Sequence, residues 1–201
     1  LSRGLGDVYK RQSQSEEDPC LYIYRSGINV CFLIVHVDDF LVAASSDQLI
    51  LTLMANVGKS FMIKDCGPVK SFLGIDISRQ KDGTYAINQE TYINQIARDL
   101  QLENVKPQYY PIDPKYHSFK EEDFLDDNHE YRKIIGILMY IATHSRPDIA
   151  ASVGILSQRI TKPRKCDQEE SLRVIKYLVT TKNLKLSMSR SNNVFLAYSD
   201  A

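Results

Sequence analysis

The chain has 201 residues, 43% hydrophobic and 25% charged, a composition that fits a folded globular chain and excludes a disordered tract or a collagen-like repeat. Its 25 Lys and Arg balance its 25 Asp and Glu, which argues against a uniformly basic nucleic-acid coat, although residues 121–130 hold six acids and residues 162–190 hold eight bases against three acids. No membrane is expected, because the longest apolar run, Val30 to Val37, covers eight residues and is interrupted by His36. The four cysteines lie far apart without paired metal spacing, so a reduced, intracellular chain is expected.

Residues 1–12 have no period and read as a leader foreign to the fold. Cys20 to Tyr24, Val30 to Val37 and Phe40 to Ala44 are rich in β-branched and aromatic residues and predict three strands, the last two forming a hairpin around Asp38-Asp39. Ser46 offers an N-cap to a helix with Leu49, Leu53 and Val57 on one side. Phe72 to Ser78 and Thr84 to Asn88 flank the turn Lys81-Asp82-Gly83, and a helix follows through Tyr92, Ile96 and Leu100. Residues 107–128 are first proline-bearing and then acidic, and read as a linker in which Tyr109-Tyr110 pack beside Pro111. Helical periodicity then takes over. One helix spans Tyr131 to Thr143, a second starts at Arg146-Pro147-Asp148, and a third runs from Asp167 to about Thr180 with Leu172, Ile175 and Val179 inward. The end, from Phe195 to Ala201, reads as the start of another strand.

Asp38-Asp39 is the most informative pair. Two adjacent carboxylates at a hairpin repel each other, and Asn-Gly would make a better turn. A divalent cation removes that penalty, since hard oxygen ligands suit Mg²⁺, and two such ions can drive in-line phosphoryl transfer. A solvated turn is the plain alternative. His117, His129 and His144 are scattered, and no Gly-x-Ser-x-Gly motif or phosphate-binding glycine loop is present.

His36-Val37-Asp38-Asp39 with its apolar flanks resembles the Tyr-x-Asp-Asp motif of reverse transcriptases, in the form used by copia-type LTR retrotransposons. Further matches follow in order: Phe61 to Gly67, then Phe72-Leu73-Gly74-Ile75-Asp76-Ile77, then Tyr131 to Ala142 with Ser145-Arg146-Pro147-Asp148-Ile149, then Arg173 to Leu178. The likeness covers roughly residues 18–201. It implies an α+β fold: the C-terminal part of a polymerase palm with a primer-grip hairpin over 13–106, a linker over 107–128, a helical thumb and connection over 129–190, and the first strand of an RNase H-like domain over 191–201.

Carried over by position, the resemblance makes Asp38 and Asp39 the catalytic, metal-binding carboxylates, with Mg²⁺ or Mn²⁺ as cofactor. It puts His36, in place of the usual Tyr, and Gly74 near the primer, where Gly74 could equally be a strand glycine at a bulge. It puts Lys64 near the incoming nucleotide, with a surface lysine as the alternative, and makes Asp200 the first RNase H carboxylate. Arg173 and Lys176, three apart on one helix, would track a nucleic-acid backbone; the plain alternative is a solvated face with Glu169 pairing to Arg173. The implied partners are an RNA template, a DNA primer, deoxynucleoside triphosphates and the rest of a Pol polyprotein, and the implied setting is a cytoplasmic virus-like particle. The family's upstream metal-binding Asp and its fingers match nothing in this sequence, so the chain alone is expected to be inactive. A non-catalytic nucleic-acid-binding remnant, or a plain α+β domain whose Asp pair is a turn, are the competing readings.

Overall fold

The computed structural model of the chain describes residues 12–116 and 123–188. The fold is α+β, with two antiparallel sheets, and it divides into two units between Val69 and Lys70.

In the first unit, β1 (Gln12–Gln14), β2 (Leu21–Ser26), β3 (Asn29–His36) and β4 (Asp39–Ala44) form one sheet in that order, and α1 (Asp47–Gly58) follows. Strand side chains alternate between faces, so pairing in register collects one apolar face. Cys31 lies between Tyr24 and Ala44, and Leu33 between Tyr22 and Val42. Leu53 and Val57 of α1 cover those rows, with Phe61 and Ile63 packed against them. Ser46 does stand at the N-cap with extended backbone, but its side chain makes no capping bond. β1 begins at Gln12, the last residue of the expected leader, and pairs with Tyr24.

In the second unit, β5 (Ser71–Phe72), β6 (Ile75–Arg79), β7 (Tyr85–Asn88) and β8 (Leu186–Met188) form the other sheet. The helices are α2 (Glu90–Asp99), α3 (His129–His144), α4 (Ala150–Ser157) and α5 (Lys165–Thr180), with a 3₁₀ turn, Pro147–Ile149, before α4. Pro147 causes that break, since its ring cannot continue the ladder of α3. The core is helical: Ile134, Ile135, Leu138 and Ile141 of α3 meet Ile149, Val153 and Leu156 on one side and Val174, Ile175 and Leu178 of α5 on the other.

Four expectations are corrected here. The run Phe72 to Ser78 is two strands, because Leu73 and Gly74 both take left-handed backbone (φ 51° and 74°) and turn the chain back on itself. The buried stripe of α5 is Ser171, Val174, Ile175 and Leu178, whereas Leu172 and Val179 are half-buried. Tyr109 and Tyr110 do not pack: they are 74% and 67% exposed. The region expected to be wholly helical carries β8, which pairs with β7 from Ile87↔Leu186 to Tyr85↔Met188.

The stretch read as a linker is also tied down where it is described. The Gln108 N–H donates to Thr180 Oγ1 (3.0 Å), the Asp113 N–H to Glu170 Oε2 (2.7 Å) and the buried Tyr116 hydroxyl to Asp167 (2.8 Å). By packing, the chain therefore divides at Val69 and not across 107–128. The expected strand over 191–201 lies outside the described residues.

Candidate functional site

The ladder between β3 and β4 closes at His36↔Asp39, leaving Val37 and Asp38 as a two-residue turn. The hairpin is thus centred one residue earlier than expected: Asp38 is in the turn and Asp39 opens β4. Two-residue loops require left-handed backbone that suits Asn or Gly. Val37 nevertheless holds φ 56° and is 72% exposed. A β-branched side chain in that region is strained by about 1–2 kcal/mol, and strain of this kind gathers at functional sites.

His36, Asp38 and Asp39 are all exposed, at the end of the hairpin formed by inner strand β3 and edge strand β4. Behind them Leu33 is buried and Val35, Phe40 and Val42 are half-buried against the same cluster, which anchors the hairpin and leaves its acidic tip in solvent. Two adjacent carboxylates are suitable oxygen donors for Mg²⁺ or Mn²⁺. Among the described residues, however, no group of three His, Cys, Asp or Glu could hold a metal ion. The hairpin itself supplies two carboxylates, those of Asp38 and Asp39. Lys64 is exposed on the segment after α1, in the same unit.

Gly74 sits in the tight turn between β5 and β6, which replaces the bulge reading with a turn reading. This turn is held from α3. The Tyr140 hydroxyl donates to the Leu73 carbonyl, and a Cβ on Gly74 would meet the same oxygen at 3.6 Å. Tyr140 is itself flanked by Tyr92 (edge-on, 5.7 Å between centroids) and His144 (4.2 Å). Nothing in the periodicity announced that contact, since Tyr140 lies beside the buried stripe of α3 and not on it.

Arg173 is half-buried and already partnered. It donates to Glu170 (2.9 Å) and Gln108 (3.1 Å) and lies 3.6 Å from Asp113. Its acidic partners are therefore Glu170 and Asp113, and not the Glu169 that spacing suggested. Lys176 lines the same polar cleft of about 250 Å³, with Glu169, Glu170 and Leu172. Asp200 lies outside the described residues.

Two buried polar clusters escaped the reading of the sequence. Arg146, 2% exposed, makes a two-pronged bond to Asp148 (2.9 and 2.7 Å), donates to Thr181, and lies over the Tyr177 ring. Asp167 is fully buried at the first turn of α5, where it accepts from the Arg164 guanidinium (2.6 Å) and from the Arg164 backbone N–H (2.8 Å). Burial by itself would raise the Asp167 carboxyl, but these donors and the Tyr116 hydroxyl outweigh it and hold the group below the usual carboxylate range. The Tyr116 hydroxyl is pushed up to about 12 by burial and by the Asp167 carboxylate it faces. Both clusters join α5 to its neighbours, so the arginine and aspartate of Arg146-Pro147-Asp148 serve the fold.

The family model for reverse transcriptase (RNA-dependent DNA polymerase) matches residues 5–114, more than half of the chain and beginning inside the expected leader. The retrovirus-related Pol polyprotein from transposon TNT 1-94 of Nicotiana tabacum is 32% identical over 193 residues, which is 92% of this chain and 14% of that protein. The Pol polyprotein from transposon RE1 of Arabidopsis thaliana is 31% identical over 189 residues, 93% of this chain and 13% of that protein. An uncharacterized mitochondrial protein of Arabidopsis thaliana is 34% identical over 150 residues, 75% of this chain and 62% of that protein. The chain thus spans only a small part of the polyproteins it matches. No solved structure matches it.

Proposed function

Because the chain belongs to the reverse transcriptase family of copia-type retrotransposons, we propose that it is a piece of an RNA-directed DNA polymerase whose catalytic carboxylates include Asp38 and Asp39. The observation that carries this reading is the acidic pair at the exposed tip of the hairpin between inner strand β3 and edge strand β4, next to a strained Val37. The two carboxylates would hold Mg²⁺ or Mn²⁺, with the remaining ligands from outside the described residues. Metal ions bound there would offset developing charge on the transferring phosphoryl group.

The rest of the work falls to this chain's own residues. The β3–β4 hairpin holds the acids at its tip, because its register is pinned by the buried Cys31 and Leu33 of β3 and the half-buried Phe40 and Val42 of β4. His36, paired across the ladder with Asp39, borders the primer terminus. Lys64 borders the triphosphate, and the Leu73-Gly74 turn supports the primer strand. The helical second unit, with Arg173 and Lys176, faces the backbone of an RNA template paired to a DNA primer. The other segments of a Pol polyprotein complete the enzyme.

The test is Asp38→Asn in the full-length polymerase. Asn keeps the shape and removes the charge, so templated incorporation should fall by at least about 10²-fold, as when a transition-state contact is removed, with an unchanged circular dichroism spectrum. Retained incorporation would sink the assignment. A second reading is a non-catalytic nucleic-acid-binding remnant, in line with His36 standing where the family's motif has Tyr. It predicts that the unsubstituted full-length polypeptide binds primer–template and incorporates nothing.

A further inference from the structure

Strand β5 has two residues, held to β6 by the pairs Ser71↔Asp76 and Phe72↔Ile75 and, just before it, by the Ile77 N–H donating to the Lys70 carbonyl (2.8 Å). The turn that follows is costly to form, since Leu73 adopts the left-handed backbone that side chains disfavour. A two-residue loop on so short a strand would swing if those pairs were its entire support. Leu73 and Gly74 are exposed, as a surface that touches a ligand must be.

Support comes from α3. Tyr140 donates its hydroxyl proton to the Leu73 carbonyl, and the same oxygen stands 3.6 Å from where a Gly74 side chain would begin. The Tyr140 ring is wedged between Tyr92 of α2 and His144, and the His144 ring nitrogen pairs with the Tyr140 carbonyl (2.7 Å). One residue further along α3, Ile141 is fully buried in the helical core. A continuous path therefore runs from the core of the second unit, through one phenol, to the outward face of the turn.

We infer that Tyr140 is a positioning residue for primer binding: its hydroxyl fixes the Leu73-Gly74 turn in the conformation that meets the primer strand, with Tyr92 and His144 orienting the ring. The inference rests on the proposed primer contact of that turn. A turn fixed from α3 spares the primer the binding energy of ordering it.

The test uses the full-length polymerase with three variants, measuring KM for primer–template, KM for nucleotide, kcat and thermal midpoint. Tyr140→Phe keeps the ring and loses only the hydroxyl. It should raise KM for primer–template roughly five-fold, the scale of one lost hydrogen bond, while KM for nucleotide and the thermal midpoint hold. Tyr109→Phe, at an exposed phenol outside the turn's support, should resemble the unsubstituted enzyme. Gly74→Ala, strained at φ 74°, reports on the primer contact independently. If Gly74→Ala weakens primer binding and Tyr140→Phe does not, the positioning role is wrong and the primer contact stands. If neither variant changes KM for primer–template, the primer contact itself is wrong. A fall in thermal midpoint with all kinetic constants altered together would reduce Tyr140 to a structural residue.

Discussion

Val37 carries a left-handed backbone beside the two acids, with nothing apolar gained from its 72% exposed side chain. Elsewhere in a sheet, Val→Gly loses both β propensity and packing. At this position the balance reverses, because glycine adopts positive φ without a Cβ penalty. Val37→Gly should therefore leave the stability of the chain unchanged or raise it by about 1 kcal/mol in urea denaturation. Destabilisation of the size seen for valine in an ordinary strand would show that the turn is built differently. Arg146 teaches the opposite lesson. A charged residue before a proline read as a helix break, yet its guanidinium is buried against Asp148, Thr181 and Tyr177, a pairing that sequence distance hides.

Helix α5 joins charge to packing. Its first turn buries Asp167 under Arg164 and Tyr116, and its middle buries Val174, Ile175 and Leu178. A carboxylate whose folded pKa lies below its unfolded value of about 3.9 stabilises the fold fully above that value. Its contribution is lost as pH falls through the depressed folded value. Urea midpoints measured from neutral pH to pH 3 should therefore drop more steeply for the unsubstituted chain than for Asp167→Asn, which should be less stable at neutral pH and flatter in acid. Parallel curves would mean that the Asp167 carboxyl has the same pKa in the folded and unfolded chain. On the alkaline side Tyr116, pushed up to about 12, keeps its proton and its bond to Asp167 well past the range in which free tyrosine ionises.

Across the whole molecule the charges cancel, 25 against 25, but the second unit keeps a basic segment whose two leading residues differ in availability. Arg173 is engaged by Glu170 and Asp113, so a phosphate would have to displace those carboxylates. Lys176 is in no ion pair among the described residues and borders an open cleft. If the segment meets a duplex backbone, Lys176→Ala should flatten the dependence of log K on log salt by about one unit, as one released counterion requires. Arg173→Ala should change the slope by less. Fluorescence anisotropy with an RNA–DNA duplex over a salt series measures both. Equal slopes for all three proteins would return the segment to a solvated face. No helix of the described residues is long and apolar enough to cross a membrane.

The sequence by itself determined the strands and helices whose period matches their burial. The β3–β4 hairpin, α1 with Leu53 and Val57, and α3 with Ile134, Leu138 and Ile141 were legible because alternation and 3.6-residue spacing are local properties. The acidic pair was conspicuous for the same reason, since adjacent carboxylates need no partner to be seen. Tertiary structure alone decided three things. It rotated the buried face of α5 onto Val174 and Leu178, because α3 and α4 lie on that side. It brought β8 back to β7, a pairing about a hundred residues apart that leaves no mark on either segment beyond Leu186 and Met188. And it set Tyr140 against Leu73, 67 residues away in sequence, where the geometry of one hydroxyl and one carbonyl outweighs anything propensity records.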